Sequence, residues 1–329
     1  MRQTTSDVKI NLTCETTKEF SIQCPRLKFH RRWCTPNPIR VIVYNQHKAG
    51  ADYVWEFLYH IERMDDDQFR YLLNHLGYSW KGYRKVRHGV KKRIRRHMQR
   101  LGCRDILTYL NLIDNQQEIR EECERLMTIS ISRFFRDRRL WELLELNWLP
   151  DLINTDLRLI NVWSAGCASG EEVYSFKIIW ERLKDRYESM PELKVLASDR
   201  HPRYLDRACS GIYTVGSLKE VPLEVRLQYF DRQRGANQYR LKDEIKKDIC
   251  WEIRHLLVNP PNTIFDIIFL RNNVLTYCQE EIQIKMLPGI LKCLAPGGLF
   301  IIGCHESLPL DPIWLNPMAT LPYVFKKLI

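Results

Sequence analysis

This chain lacks the features that assign a protein to a membrane, secreted or metal-binding class. No apolar run in its 329 residues approaches the roughly 18 residues that a bilayer-spanning helix needs. The first residues carry no hydrophobic signal segment, so we expect a cytoplasmic protein. The 11 cysteines form no CxxC pair. The spacing of Cys14, Cys24, His30 and Cys34 matches no zinc module, so we expect reduced thiols and no metal.

Acidic residues are absent from one stretch, residues 81–104. It holds 11 of the 51 Lys and Arg residues, and the other 40 balance the 40 acidic residues, so the net charge of +11 resides there. Such a block either docks an anionic partner or is the solvated face of a helix. Apolar residues at three- and four-residue steps within it predict an amphipathic helix that ends at Gly102. These residues are Tyr83, Val86, Val90, Ile94, Met98 and Leu101.

Hydrophobic periodicity divides the chain into four parts. Residues 1–50 form an irregular extension, 51–130 a small all-α domain with a basic helix, and 131–156 a linker. From residue 157 to 329 strands and helices alternate, which predicts an α/β fold with a doubly wound sheet. A less regular stretch around 211–249 indicates an inserted subdomain. Short apolar runs typical of buried parallel strands are Leu159–Ser164, Leu193–Ser198, Ile264–Leu270 and Leu299–Gly303.

The most informative motif is a glycine-rich turn. An apolar run leads into Gly166 and Gly170, and Glu171 and Glu172 then open an amphipathic helix. Turns of this kind usually bind nucleotides, because glycine lets the backbone approach a ligand closely. A pyrophosphate would face two carboxylates here, whereas a cationic cofactor such as S-adenosylmethionine would be attracted. The turn therefore favours a methyltransferase, although acidic residues also favour helix N-termini without any ligand.

Ligands of open parallel sheets bind beyond the carboxyl ends of the strands. Asp199 directly follows the run Leu193–Ser198, and Arg271 and Asn272 follow the run Ile264–Leu270. A carboxylate in the position of Asp199 can accept hydrogen bonds from both ribose hydroxyls of an adenosine, or it can cap a turn. The preceding glycine turn favours the ligand-binding interpretation.

Several segments together resemble one enzyme family. Trp163–Ser175, which reads WSAGCASGEEVYS, resembles the first motif of the chemotaxis-type protein-glutamate O-methyltransferases, the CheR family. Further segments resemble the remaining motifs of that family in the same order: Ser132–Asp137, Phe265–Asn272 with Tyr277, Leu294–Gly298 and Gly303–Leu308. The likeness covers roughly residues 60–329.

The resemblance implies a Rossmann-like methyltransferase sheet after the helical domain and S-adenosyl-L-methionine as cofactor. It implies the following cofactor-binding residues: Ser130, Ser132, Arg136, Gly166, Glu171, Asp199, His255, Leu256, Arg271 and Asn272. Arg136 and Tyr277 would be catalytic and position the substrate carboxylate, although Arg136 can also be read as a domain-linking ion pair and Tyr277 as packing. Ser130 and His255 depart from the family, which usually has Asn at both positions.

The resemblance also implies a partner, an acidic helical protein such as a chemoreceptor-like signalling protein. We expect Arg84, Arg87, Lys91 and Arg95 of the basic helix to dock it through charge complementarity. Nucleic acid competes as a partner because cations neutralise phosphates, but the stretch has few aromatic residues and no recognised nucleic-acid motif. Two alternatives stay open, a nucleic-acid methyltransferase and a re-targeted or catalytically weak relative that serves as a cofactor-binding module. We expect a monomer without membrane insertion, with at most peripheral contact through a receptor.

Overall fold

The computed structural model describes residues 64–129, 132–155 and 157–328, together with the backbone of four short strands nearer the N-terminus. Those strands pair antiparallel in the order β2-β1-β3-β4. They are β1 (Lys9–Leu12), β2 (Phe20–Gln23), β3 (Val41–Val43) and β4 (Trp55–Phe57). The predicted cofactor residue Ser130 lies outside the described residues, as do Cys14, Cys24, His30 and Cys34. Within the described part of the chain, no helix is long and apolar enough to cross a membrane.

A small helical unit comes next. Its helices are α1 (Asp66–His75), α2 (Trp80–Tyr83), α3 (Arg87–Arg100), α4 (Ile106–Asn115) and α5 (Gln117–Met127). Asp65 begins α1 with a capping box, which satisfies two backbone N–H groups at the helix start. The predicted apolar stripe lies on α3, where Val90, Ile94 and Met98 are buried. Gly102 follows α3 with a φ of 70°, a left-handed conformation that ends a helix and that glycine adopts without strain.

A connecting segment joins this unit to the sheet. It contains α6 (Arg138–Leu143), a π-helical turn (Leu144–Trp148) and α7 (Leu149–Ile153). Phe134 anchors its start, because its ring is fully buried and meets the rings of Tyr213 and Phe230 edge to face, with centroids 4.8 and 5.1 Å away. Such pairs add to the free energy gained by burial alone. The segment is thereby fixed against the domain that follows.

The remaining elements build a sheet domain. They are β5 (Leu159–Ala165), α8 (Glu171–Lys184), β6 (Glu192–Asp199), α9 (Pro202–Ser210), β7 (Ile212–Thr214), α10 (Leu223–Tyr229), β8 (Phe230–Arg232), β9 (Gln238–Leu241), a 3-10 helix (Asp243–Lys246), β10 (Ile249–Ile253), β11 (Phe265–Leu270), α11 (Val274–Tyr277), α12 (Glu280–Leu291), β12 (Leu294–Ile302), β13 (Leu315–Met318) and β14 (Leu321–Lys327). The seven-stranded sheet has the order β10-β6-β5-β11-β12-β14-β13. Its first five strands are parallel, β14 pairs antiparallel with β12, and β13 pairs antiparallel with β14.

Hydrophobic cores lie on both faces of this sheet. Successive side chains of a strand point to opposite faces, so Val162 joins the core that contains Phe176 of α8, whereas Trp163 joins the core that contains Ile290 of α12. Burial on both faces explains why the strands read as continuous apolar runs. The predicted doubly wound α/β class is confirmed.

The irregular stretch around 211–249 contains a second, smaller sheet. In it β7, β9 and β8 are antiparallel, and β9 is central. The buried residues Tyr213 and Phe230, which hold Phe134, belong to this sheet. The inserted sheet thus packs against Phe134 at the start of the connecting segment.

Candidate active site

The glycine turn after β5 approaches the end of β6 closely. Ala165 and Ser198 are opposite each other in the parallel register. The carbonyl of Ser198 accepts hydrogen bonds from the N–H groups of Gly166 at 2.8 Å and Cys167 at 2.9 Å. Gly166 has a φ of 80°, and a Cβ there would lie 2.2 Å from Nδ2 of Asn273. Glycine adopts this left-handed backbone without strain and leaves room for the Asn273 side chain.

Asp199 is fixed by the turn that it faces. Its Oδ2 accepts a hydrogen bond from the N–H of Ala168 at 3.0 Å, and its Oδ1 accepts one from the N–H of His201 at 3.0 Å. Burial raises the pKa of this carboxyl group, and the two backbone donors oppose the rise. Asp199 therefore serves the local turn and also lines the cleft described below.

Glu171 is a buried carboxylate at the start of α8, and its residue is 3% exposed. Its Oε1 accepts from the Ser217 hydroxyl at 3.3 Å, while Oε2 receives no hydrogen bond from the residues that the structure describes. Burial raises the pKa of this group, and the hydroxyls of Ser132 and Ser217 lower it in part. A buried carboxylate that lacks a full set of donors suits a cationic ligand group.

Glu172, the neighbouring carboxylate, is held by other protein groups. Its Oε1 accepts from the Ser164 hydroxyl at 2.8 Å, and its Oε2 accepts from Nη1 of Arg271 at 2.9 Å. Nη2 of Arg271 also donates to Oδ2 of Asp137 at 2.6 Å and to the carbonyl of Arg136 at 3.1 Å. One buried guanidinium thus joins α8, the end of β11 and the connecting segment.

Tyr277 ends the short helix α11, which α2 contacts. A Cβ at Gly82 of α2 would lie 2.1 Å from the carbonyl oxygen of Thr276. The Tyr277 ring meets the ring of Tyr83 with centroids 5.2 Å apart. Burial raises the pKa of the Tyr277 phenol, and the charge of Arg136 opposes the rise. Tyr277 is therefore protonated at neutral pH and can donate a hydrogen bond.

Glu306 is a half-buried acid that the sequence interpretation did not single out. Its Oε2 accepts from the backbone N–H groups of Asn272 at 3.0 Å and Gly303 at 2.6 Å, and its Oε1 accepts from the Thr276 hydroxyl. Asn272 has a φ of 55°, a strained conformation for a residue other than glycine. Glu306 thus holds the turn from which Asn272 and Tyr277 extend. Its place in the motif Gly303–Leu308 was the available signal.

These elements surround one cleft of about 200 Å³ between the helical unit and the carboxyl ends of the strands. Eight of the predicted site residues line it: Ser132, Arg136, Gly166, Asp199, Leu256, Arg271, Asn272 and Tyr277. Glu171 and His255 do not line it. Nδ1 of His255 is buried without a hydrogen-bond partner among the described residues, and burial lowers the pKa of this ring.

The cleft also contains residues that the sequence interpretation missed, on both sides of the domain boundary. Arg200 pairs with Glu124 of α5. Nε2 of His201 lies 2.6 Å from the hydroxyl of Thr128 at the end of the same helix. Burial and the nearby charge of Arg200 lower the pKa of His201 to about 4. These contacts tie the helical unit to the strand end that carries Asp199.

The predicted docking residues differ in their surroundings. Arg84 is exposed. Arg87 and Lys91 both bind Asp66, with Nε–Oδ1 at 3.0 Å and Nζ–Oδ1 at 2.7 Å. Nε of Arg95 is buried without a hydrogen-bond partner in the described part of the chain. Of the four, Arg84 is exposed, and the other three are half-buried.

The fold and the cleft together define a class of enzyme. A doubly wound sheet carries a glycine turn at its carboxyl edge, and the carboxylates around that turn favour a cationic nucleotide-like cofactor. This is the arrangement of an S-adenosylmethionine-dependent methyltransferase.

Comparison with known proteins identifies the family within that class. Residues 130–324 match the CheR methyltransferase, SAM binding domain. The match covers more than half of the chain, so the chain belongs to the CheR methyltransferase family, and its cofactor is S-adenosylmethionine. The predicted resemblance, cofactor and enzyme class are confirmed.

Individual relatives agree with this assignment. The chemotaxis protein methyltransferase of Listeria innocua is 32% identical over 209 residues, 62% of this chain and 75% of that protein. Chemotaxis protein methyltransferase 2 of Pseudomonas aeruginosa is 28% identical over 225 residues, 66% of this chain and 78% of that protein. An uncharacterized 104.1 kDa protein of Rhodobacter capsulatus is 28% identical over 67% of this chain, which spans only 23% of that relative. The solved N-methyltransferase NodS of Bradyrhizobium japonicum, at 17% identity and a TM-score of 0.30 over 52% of this chain and 63% of that chain, is too distant to add an argument.

Proposed function

We propose that this enzyme forms methyl esters on glutamate side chains of an acidic, helical, chemoreceptor-like signalling protein. The observation that carries the proposal is the position of the exposed cations. Tyr83 lines the cleft and contacts Tyr277, and Lys81, Arg84 and Lys85 on either side of Tyr83 are exposed. We call these three residues the basic patch. A glutamate-rich surface would be attracted to it and so brought to the mouth of the cleft.

The proposed cofactor contacts are those that the family resemblance implies, and Ser132, Arg136 and Asp199 support them by lining the cleft, whereas Glu171 and His255 do not line it. Ser130, Ser132 and Arg136 would contact the methionine part of the cofactor. The buried carboxylate of Glu171 would hold the ammonium region, and Asp199 would bind the ribose. His255 and Leu256 would flank the adenine, and Arg271 and Asn272 would close the pocket beside Gly166. Bound S-adenosylmethionine supplies an activated methyl group on a sulfonium.

The remaining chemistry needs little from the protein beyond orientation. A glutamate carboxyl group has a reference pKa of about 4.3, so the nucleophile is already ionised at neutral pH and needs no strong base. Arg136 would hold this carboxylate by a charge-assisted hydrogen bond, and the protonated Tyr277 would donate a second one. Exclusion of water by the aromatic wall of Tyr78, Tyr83 and Tyr277 would strengthen both bonds.

A labelling experiment tests the proposal. The purified chain and methyl-labelled S-adenosylmethionine are incubated with cytoplasmic fragments of chemoreceptors in one reaction and with total RNA in another. We expect label on a receptor fragment that mild base releases as methanol, and no label when the target glutamates are replaced by alanine. Base-stable label on the fragment, or label on RNA alone, would contradict the proposal. Cofactor binding without transfer to any fragment would favour a cofactor-binding module.

A further inference from the structure

The backbone around Arg136 has an unusual conformation. Phe135 has a φ of 54° and Asp137 a φ of 64°, so two left-handed residues other than glycine flank Arg136. Each costs free energy and persists only where surrounding contacts hold it. Phe135 is held on one side, because its N–H donates to the Ser175 hydroxyl at 2.8 Å. The turn therefore directs Arg136 into the cleft at a cost that neighbouring groups offset.

Two side chains hold the carbonyl oxygen of Arg136 itself. Nε1 of Trp141 donates to it at 2.7 Å, and Nη2 of Arg271 donates to it at 3.1 Å. The guanidinium of Arg271 also lies 5.6 Å from the centre of the Trp141 ring. Both donors are thus fixed relative to each other as well as to the carbonyl.

The Arg271 guanidinium is in turn fixed by two carboxylates. Its side chain is 3% exposed, and those of Asp137 and Glu172 are 18% and 16% exposed. Asp137 accepts on its second oxygen from the Cys304 thiol at 3.2 Å, and Glu172 accepts from Ser164. Nη1 and Nη2 are therefore engaged with protein groups. Nε has no hydrogen-bond partner among the described residues.

We propose that Arg271 is a positioning residue for Arg136. Its guanidinium, paired with Asp137 and Glu172, holds the carbonyl of Arg136 and so stabilises the left-handed turn that places the Arg136 side chain in the cleft. The inference rests on the cofactor class of the enzyme and on the proposed contact of Arg136 with the cofactor. It does not depend on which protein is methylated. It differs from a direct contact between the Arg271 side chain and the cofactor, which would act independently of Arg136.

A double-mutant cycle on cofactor affinity separates these roles, with S-adenosylhomocysteine as the probe and calorimetry as the measurement. Arg271→Lys keeps the charge but removes the planar fork, so it cannot hold the carbonyl and both carboxylates at once. We expect Arg271→Lys and Arg136→Ala each to weaken binding roughly five- to tenfold, and the double variant to bind no more weakly than the weaker single variant. Multiplied effects in the double variant would overturn the proposal and assign Arg271 to direct contact.

Two further variants provide a second test and a matched control. Trp141→Phe removes the other donor to the same carbonyl without altering a charge. It replaces Arg271→Lys in the cycle if that variant fails to fold, and we expect the same lack of additivity with Arg136→Ala. Arg254→Lys is the matched control, because Arg254 lines the same cleft but pairs with Glu252. Its effect should multiply with that of Arg136→Ala. A failure to label receptor fragments would leave these binding results unchanged, so it would count against the proposed substrate alone.

Discussion

The two sides of the cleft use charge in opposite ways. On the sheet side, Glu171 and Arg271 are buried, Asp199 and Glu172 are half-buried, and each has fixed protein partners. On the helical side, the cations of the basic patch are exposed to solvent. Charged groups held in fixed positions away from solvent interact strongly with a ligand that matches those positions, whereas exposed charges interact weakly and are screened by salt.

This difference predicts how each side responds to substitution. A small cofactor must be bound in one orientation, which fixed buried groups provide. A large protein partner needs to be attracted and retained near the cleft, which several interchangeable surface charges provide. Single substitutions should therefore be severe on the sheet side, whereas on the helical side only combined substitutions should have a measurable effect.

Replacement of Asp199 should have the largest effect. The amide of Asp199→Asn has one acceptor oxygen in place of two, so its NH2 group would face the N–H of Ala168 or of His201. The amide would also contact the ribose poorly. We expect S-adenosylhomocysteine to bind about 30- to 100-fold more weakly, as for the loss of a charged hydrogen-bonding group. Calorimetry measures this change. Asp206→Asn, at an exposed position of α9, should bind normally, and full affinity in Asp199→Asn would remove Asp199 from the site.

Replacement of Glu171 should have the next largest effect, with a distinct pH signature. Burial raises the pKa of Glu171 in the free protein, and a bound ammonium group would lower it again. Affinity for S-adenosylhomocysteine should therefore rise with pH until the free carboxyl group is ionised, and binding should release protons. Glu171→Gln should bind roughly tenfold more weakly and lose the proton release, which calorimetry in buffers of different ionisation enthalpy detects. Unchanged proton release in this variant would exclude Glu171 as the source, and exposed Glu188→Gln serves as control.

Local patterns in the sequence were enough to predict the sheet and much of its carboxyl edge. The glycine turn, Asp199 and the pair Arg271 and Asn272 each come at the end of an apolar run, and parallel strands bring their carboxyl ends to the same edge. The contacts that hold these residues join distant parts of the chain. Glu306 binds the backbone of Asn272, 34 residues away. No periodicity or spacing encodes such a contact.

The charge count of the basic stretch likewise omitted an acidic partner from another helix. Residues 81–104 contain no acid, but Asp66 of α1 lies against α3 and pairs with both Arg87 and Lys91. Pairing across helices depends on tertiary packing, which the composition of a segment does not reveal. Likewise, the charge pattern alone did not distinguish Glu171 from Glu172, and only the family resemblance selected Glu171 as a cofactor-binding residue. Only the fold shows that Glu172 is paired with Arg271, whereas Oε2 of Glu171 has no donor within the described residues.

The basic patch should show the cumulative behaviour that the comparison predicts. Exposed charges contribute a few tenths of a kcal/mol each, so combined replacement of Lys81, Arg84 and Lys85 by alanine should raise KM for an acidic receptor fragment roughly five- to tenfold at low salt. The kcat value and cofactor affinity should stay close to wild type, and the difference should shrink as salt is added. Alanine at the exposed residues Lys194, Lys285 and Lys292 gives a control with the same charge change. Equal effects of the two sets would mean that net charge, and not the patch, attracts the partner.

The contact between the two sides should affect stability and not cofactor binding. Burial lowers the pKa of His201 from 6.5 to about 4, so in acid the unfolded chain takes up a proton before the folded one does. The contribution of His201 to the free energy of unfolding should therefore be complete above about pH 6.5, fall as the pH decreases, and level off below about pH 4. Denaturant titrations across this range should show a shallower pH dependence for His201→Gln than for wild type. His97 and His255, whose pKa values burial also lowers, would maintain part of the slope. As a control, substitution of the exposed His88 by Gln should leave the pH dependence of stability unchanged. A wild-type pH dependence in His201→Gln would show that His201 is protonated without breaking its contact with Thr128.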